Sequence, residues 1–411
     1  MFGQIKNSLQ GELKMHNPHH ATTKIAFLSV SLVLTSAYAI QGALPQLKAA
    51  LNLSQQQAEY LVTTPSIAVM VMVVLSPLLQ NWFHCSDKQM IMVGVSLLGL
   101  AGAVPLFTAS YPLIISSRLV LGAGIGLYNS QAISILTHWY RGSEQAMMIG
   151  WHAAAEQIGQ ALTVWLASLL FFSFGWHAPF AVYLLALAIL FFFAFKVPDD
   201  HQHQEPLRHQ AADQEVLAAP QKISPAVFLL AFLAFLLVID YVGMENRFAS
   251  LAAAFQASHR VPLFLAMMLG GATIGGLCYG WLYDRLGFAT VYLGLGLMAL
   301  ANFFFSLASH HFFFAVAGLL LIGFPYQLLS PLVFNLLPTL APANRQTTAT
   351  AICLVGFNLG AFFSPTIGAW ANQLIGQPLS GSGLASPFAL YGGVLVIIAV
   401  IIYLVSHRYS W

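Results

Sequence analysis

The sequence predicts an all-α membrane protein: twelve transmembrane helices in two six-helix bundles, with both termini cytoplasmic. Three observations predict it. Of 411 residues, 58% are hydrophobic and only 7% charged, whereas a shell exposed to water needs roughly 25% charged residues. Apolar runs of ~20 residues, enough to cross ~30 Å of hydrocarbon at 1.5 Å per residue, recur along the whole chain. The lysines and arginines gather on alternate connections, as they do when the cytoplasmic face collects positive charge.

The first bundle, residues 24–196, takes helices at 24–46, 57–80, 89–109, 112–137, 145–174 and 177–196. The first twenty residues are polar, and the run from Ile25 to Leu44 is followed by many others, so it reads as a first span and not as a cleaved signal. Residues 197–222 hold Asp199, Asp200, His201, His203, Glu205, Arg208, Asp213 and Glu215, cannot cross lipid, and form a cytoplasmic linker. The second bundle, residues 223–406, takes helices at 223–247, 262–283, 288–309, 311–337, 346–374 and 386–406. Residues 1–23 and 407–411 are the cytoplasmic N-terminal segment and tail. Of the 15 lysines and arginines, this arrangement places eleven on the cytoplasmic side, three (Lys48, Arg247 and Arg260) on or near the outer side, and Arg118 inside a span. Adding or deleting one helix would scramble that bias.

Other classes find little support. Cys85, Cys278 and Cys353 are scattered through apolar surroundings without metal or redox spacing and read as reduced, space-filling residues. Most of the 14 histidines lie in termini or loops, among them His16, His19, His20, His201, His203, His209, His310 and His311; no intramembrane ligand cage accompanies them, and no metal is expected. A glycine-rich nucleotide loop ending in lysine is missing, so ATP is not the direct energy source and no cofactor is expected. An enzyme needs a nucleophile, base or metal converging at usable spacing, and the sequence offers none. The net charge of +2 names no partner, and nothing points to nucleic acid. A receptor or scaffold would want larger loops.

The two halves repeat weakly. Glu144 to Gly159 aligns without gaps against Arg345 to Gly360: Gln145 matches Gln346, Gly159 matches Gly360, and the amides Gln157 and Asn358 coincide. Both segments leave a cytoplasmic loop and enter a helix, the fifth and the eleventh.

Two further stretches are distinctive. Gly280-Trp-Leu-Tyr-Asp284-Arg285-Leu-Gly287 follows the eighth helix, and Arg118-Leu-Val-Leu-Gly122-Ala-Gly124-Ile-Gly126 lies in the fourth. The first resembles the loop motif of the major facilitator superfamily, and the resemblance extends over nearly the whole chain. The six-plus-six layout fits the parallel repeats of that superfamily, with the substrate site between them. The second resembles an arginine-then-glycines signature of its twelve-helix drug:proton antiporter branch, as do the loop Arg141-Gly-Ser-Glu144 and the outer turn Gly175-Trp176-His-Ala-Pro179. Two departures stand out. The first-half copy of the loop motif, Pro77-Leu-Leu-Gln-Asn81-Trp82-Phe-His84, has asparagine for the acid and tryptophan for the arginine. The glycine-proline pair that marks the exporters' fifth helix is replaced by Ala154-Ala155-Glu156-Gln157-Ile158-Gly159. In the loop motif, glycines allow a tight turn and close helix approach, and the Asp284–Arg285 pair is placed to dock on neighbouring helix ends and latch one conformation.

Ionisable side chains inside spans are functional candidates by default. Glu156 lies ten residues into the fifth helix, close to mid-membrane, and His152, Glu156 and Gln160 recur every four residues on one face. Glu156 is a candidate to carry the coupling proton or bind a cationic group of the substrate, with His152 as relay. Arg118 either faces a polar interior or snorkels to the outer surface. Asp240 and Arg118 both lie in the outer half, one per bundle, and depth alone allows them to pair. Glu245 and Arg247 are expected at the lipid–water boundary, solvated. Tyr38, Gln41, Asn129, Gln131, Gln160, Tyr326, Gln327 and Asn358 are polar residues in spans, read either as cavity lining or as interhelical hydrogen-bonding groups. The resemblance implies a monomeric secondary transporter surrounded by membrane lipid and coupled to protons. Export of amphipathic or drug-like small molecules is the first expectation; symport of a small organic solute, or lipid flipping, is the alternative.

Overall fold

The computed structural model describes residues 20–140, 142–197, 223–341 and 346–409. The linker, both chain ends and Arg141 and Arg345 therefore lie outside it, as do the histidines of the N-terminal segment other than His20. Among the described residues every element is helical. Within those residues, ten helices or helical runs are long and apolar enough to cross a membrane, or eleven if one bent pair is counted as a span. One run, Ser258–Ser309, contains two helices joined at Gly287.

The helices are α1 (Ala21–Ser31), α2 (Leu44–Ala50), α3 (Gln55–Phe83), α4 (Asp87–Ala103), α5 (Tyr111–Trp139), α6 (Gly142–Phe174), α7 (Leu184–Lys196), α8 (Pro225–Ala254), α9 (Val261–Leu286), α10 (Thr290–Ser306), α11 (Phe312–Asn335), the single turn α12 (Leu337–Leu340), α13 (Gln346–Leu374) and α14 (Pro387–Tyr409). Their starts follow local chemistry. Ser86 and Gln89 form a reciprocal capping box on α4, and Ser224 caps α8 with Pro225 at its first position, where a missing N–H costs nothing.

The chain differs from expectation at the first span. In place of one helix, α1 is followed by a 3-10 stretch, Ser36–Ala43, and then α2, with a bend of 52°. Pro45, at the start of α2, has no N–H to give, which suits it to the first turn of a new helix and weakens a continuous α-helical ladder there. Hydropathy is uniform across this run, and the break is invisible to it.

Large apolar side chains face outward: Trp82 is 77% exposed, Leu277 80% and Phe107 87%. Lipid covers such a surface, and it also removes most of the hydrophobic drive for helices to pair. Close packing through small residues takes over that role. The aligned glycines show it. A Cβ at Gly159 would lie 2.0 Å from the carbonyl oxygen of Leu32, and one at Gly360 would lie 2.4 Å from that of Phe235. Each glycine thus admits the backbone of the corresponding helix of its half, α1 against α6 and α8 against α13. Other packings repeat as well: α4 with α5 matches α10 with α11, and α4 with α7 matches α10 with α14. The weak sequence repeat is a repeat of helix contacts.

Gly159→Val is accordingly expected to cost more than the ~1–3 kcal/mol usual for overpacking, because the obstacle is backbone. Gly270→Ala, with nothing within 4 Å of the new methyl, should melt like the parent. Thermal unfolding of the two variants in detergent checks the contrast; equal melting temperatures would refute the close-approach argument.

Contacts sort the chain into two compact units, Met1–Ala39 with Thr64–Ala219, and Ile40–Thr63 with Pro220–Trp411. Ile40–Thr63, which chain order assigns to the first half, makes its contacts with α8 of the second. Gln41 donates to Asn246 (2.9 Å), Gln55 to Ser250 (3.1 Å), and Glu59 faces Arg247.

Candidate functional site

In the first unit, polar chemistry is organised around the break after α1. His152 is buried on α6, with Nε2 3.2 Å from Glu156 Oε1 and Nδ1 2.5 Å from Ser31 Oγ. Thr35 donates to the main-chain oxygen of Glu156 at 3.0 Å. Positions 152, 156 and 159 share one face of α6, and α1 with its break packs along it. The Glu156 side chain keeps 23% of its surface open, so it is both held and reachable. Gln160, one turn further, is buried.

Arg118 is fully enclosed, which removes the snorkelling alternative. Its guanidinium lies over the Tyr183 ring, 5.3 Å from the centroid, and donates to the Tyr183 hydroxyl at 2.5 Å and to the carbonyl of Ala37. Ala37 belongs to the 3-10 stretch, so the broken helix offers a carbonyl and the arginine clasps it. The glycines that follow fit packing: Cβ atoms at Gly122 and Gly126 would strike the backbone of Pro65 and Val69 on α3. Gln131 is buried and donates to Ser76 at 3.4 Å, while Tyr38 and Asn129 are half-buried. At the start of α6, Lys24 reaches Glu144 at 2.5 Å and lies over the ring of Tyr140, 5.4 Å from its centroid. Burial, reinforced by the Glu144 carboxylate, pushes the Tyr140 hydroxyl up to about 12.

In the second unit the main finding is a correction. Arg247 and Glu245 are not solvated boundary residues; each is only 1% exposed. Arg247 Nε lies 3.5 Å from Glu59 Oε1, and its Nη1 donates to Asn372 (2.8 Å) and to the Leu384 carbonyl (3.1 Å). Asn372 in turn donates to the carbonyl of Gly383 (2.7 Å), and Gln55 donates to Glu59 (2.9 Å). Burying an ion pair is costly unless further hydrogen bonds surround it; here Nη1 and the Glu59 carboxylate have them, while Nη2 is buried without one. Glu59 was missed because it stands near a helix start among polar residues. Its signal was present: Gln55, Glu59 and Thr63, all buried, recur every four residues, the same spacing that marks His152, Glu156 and Gln160.

Asp240 is 2% exposed and accepts from Asn302 at 2.6 Å. Arg118 is thus engaged within the first unit and Asp240 within the second. Tyr326 stacks on Tyr241 with centroids 4.1 Å apart. Gln327 is half-buried beside it, and Asn358 donates to its own helix at the Leu354 carbonyl (2.9 Å). Gln41 is buried against Asn246.

In the loop motif, Gly287 ends α9 with φ 54° and its N–H on the Tyr283 carbonyl. Arg285 lies over the Trp281 ring, 4.2 Å from its centroid; Asp284 is exposed, and Gly280 faces open space. The degenerate first-half copy keeps the backbone feature without the glycine: His84, which aligns with Gly287, has φ 52°. There Gln80 donates to Asp87 at 2.5 Å, tying the ends of α3 and α4.

The sequence matches the family described as Major Facilitator Superfamily over residues 26–292 and 248–410. The fold is similar to that of the nucleoside transporter NupG (TM-score 0.73, 13% identity, covering 93% of this chain and 100% of that one). It is also similar to the inward-open xylose transporter XylE from E. coli (0.69, 17%, 93% and 95%) and to a POT peptide transporter bound to alafosfalin (0.71, 11%, 96% and 95%). At these identities the likeness is one of fold. With the family matched from end to end of the helical region, the chain belongs to the major facilitator superfamily and is a multi-pass membrane transporter, not an enzyme.

Proposed function

We propose that the protein is a proton-coupled secondary transporter of the cell membrane. It works by alternating access between two six-helix bundles of a twelve-helix fold, both termini cytoplasmic, and acts as a monomer on a small organic cargo. The observation that carries this reading is the His152–Glu156 pair with Ser31 behind it. Unloaded, the pair holds a carboxylate and a neutral imidazole, and its charge is −1. In that form the imidazole donates its Nε2–H to Glu156 Oε1, and one further proton, taken up at His152 Nδ1 or on the carboxylate, brings the charge to zero. Ser31 holds Nδ1 in both forms, so the charge changes by one unit while the geometry stays. A site of that kind lets proton occupancy decide which conformation is cheap.

The helix and loop resemblances around Arg118 and Arg141 favour export of amphipathic or drug-like compounds, for which aromatic and aliphatic linings are suited. A second reading, symport of a small organic solute, is favoured by the fifth helix, where Ala154–Gly159 replaces the exporters' glycine-proline pair. Among the similar folds is one named a D-xylose-proton symporter. Vesicles of both orientations, with an imposed pH gradient and a panel of labelled solutes, test the proposal. Export predicts accumulation in everted vesicles only; symport predicts accumulation in right-side-out vesicles with alkalinisation outside. Solute movement that ignores the pH gradient in both orientations would overturn proton coupling.

A further inference from the structure

In the second unit, α10 and α14 run antiparallel and leave a groove between two points of contact. At one point a Cβ on Gly392 would lie 3.2 Å from the Ala299 carbonyl oxygen. At the other the rings of Tyr292 and Tyr403 meet edge to face, with centroids 6.1 Å apart. Between them the walls part around a volume of about 310 Å3, lined by Leu295, Gly296, Val396, Ala399 and Val400 as well as the two tyrosines. Small side chains are the cause. A Cβ at Gly296 would meet nothing within 4 Å, and Ala399, which the register of the tyrosine pair sets against it, adds only a methyl. At the same seventh position of α4, the matching helix of the first unit, stands Val93.

Both walls belong to runs long and apolar enough to cross a membrane, and Gly296, Val396 and Val400 are exposed on the outside of the unit. The tyrosines stand at the membrane boundary: Tyr292 is the third residue of α10, and Tyr403 is the last but one of the apolar run that ends at Leu404. Tyrosine collects at that depth, with its ring in hydrocarbon and its hydroxyl in the polar layer. The groove therefore starts at headgroup level and runs ~10 Å into the hydrocarbon, the rise from Tyr403 to Val396. Left empty, it would forfeit dispersion contacts along both walls. Its seven lining residues fall far short of the roughly 20–30 per partner in a stable protein interface, whereas a single flexible hydrocarbon chain fits a slot of this width and depth.

We infer that this groove holds one acyl chain of a membrane phospholipid, with Tyr292 and Tyr403 at the level of its glycerol backbone. That chain is retained while lipids over the rest of the surface exchange. The site is separate from the buried polar groups of both units and does not depend on the role proposed for Glu156.

Photolabelling tests it. The full-length protein is reconstituted in phosphatidylethanolamine vesicles with a trace of phosphatidylcholine that carries a diazirine on one acyl chain, irradiated, and its labelled peptides mapped. Labelling is expected to concentrate on Tyr292–Gly296 and Val396–Tyr403. Gly296→Leu, which fills the groove from its floor, should lower that labelling about tenfold, as losing room for roughly two methylenes does. Should it fail to fold, Ala399→Leu fills the same space from the other wall. Gly270→Leu, at another exposed glycine with open space around it but on α9, should leave the pattern unchanged. Labels spread evenly over the exposed faces of α9, α10 and α14, or groove labelling that survives in the filled variants, overturns the inference. So does groove labelling that vanishes when the protein is packed densely in the vesicles, which would make a second copy the occupant.

Discussion

Glu156→Gln is expected to reduce proton-driven transport to background while leaving a folded protein in the membrane. Glutamine preserves the size of the side chain and can still pair with His152 Nε2, but it cannot ionise, so the step from −1 to zero disappears. Ser31 on Nδ1 and Thr35 on the Glu156 carbonyl are untouched, and the melting temperature should stay within ~2 °C, which at this size corresponds to about 1 kcal/mol or less. Exchange of solute across vesicles without a pH gradient should survive, since it needs no net proton movement. The decisive comparison is driven uptake against gradient-free exchange in one preparation. If driven transport persists in the variant, Glu156 is not the coupling group. If exchange is lost as well, the carboxylate holds cargo instead.

The second large effect is on stability. Removing either partner of the Glu59–Arg247 pair strands a buried charge, and the expected cost is ~3–5 kcal/mol. At ~2–4 °C per kcal/mol for a domain of bundle size, the melting temperature should fall by roughly 10 °C. Arg247→Met also strips Asn372 of its bond to Nη1 and leaves the Leu384 carbonyl unmet. The double variant Glu59→Leu/Arg247→Met removes both charges and should be more stable than either single variant, because the penalty lies in the orphaned charge and not in the lost attraction. Losses that simply add would show the two residues to be uncoupled.

Most of the architecture was legible because it rests on patterns that need no partner. Span length is set by hydrocarbon thickness, and runs of apolar residues long enough to cross it stand out along the chain. The Gly159–Gly360 correspondence was visible as an alignment, and its meaning, close backbone approach in both halves, needed coordinates. Glu156 with His152 was found by helical spacing. Arg247 was misplaced because depth was inferred from position in a run, and a run says nothing about which residue of another helix stands opposite. Glu59 and Asn372, 188 positions before and 125 after it, together with the Leu384 carbonyl, make burial of that guanidinium tolerable. The broken first span escaped notice for a related reason: Ser36–Ala43 is as apolar as its surroundings, and the backbone there departs from the α form without any change in greasiness.

That stretch also sets a length. Eight residues in 3-10 form reach about 16 Å at ~2.0 Å per residue, against about 12 Å in α form at 1.5 Å. The stretch is therefore ~4 Å longer than the same residues would be in α form. The carbonyl that Arg118 holds, that of Ala37, belongs to this drawn-out part of the chain, so the arginine fastens the backbone where it is most extended.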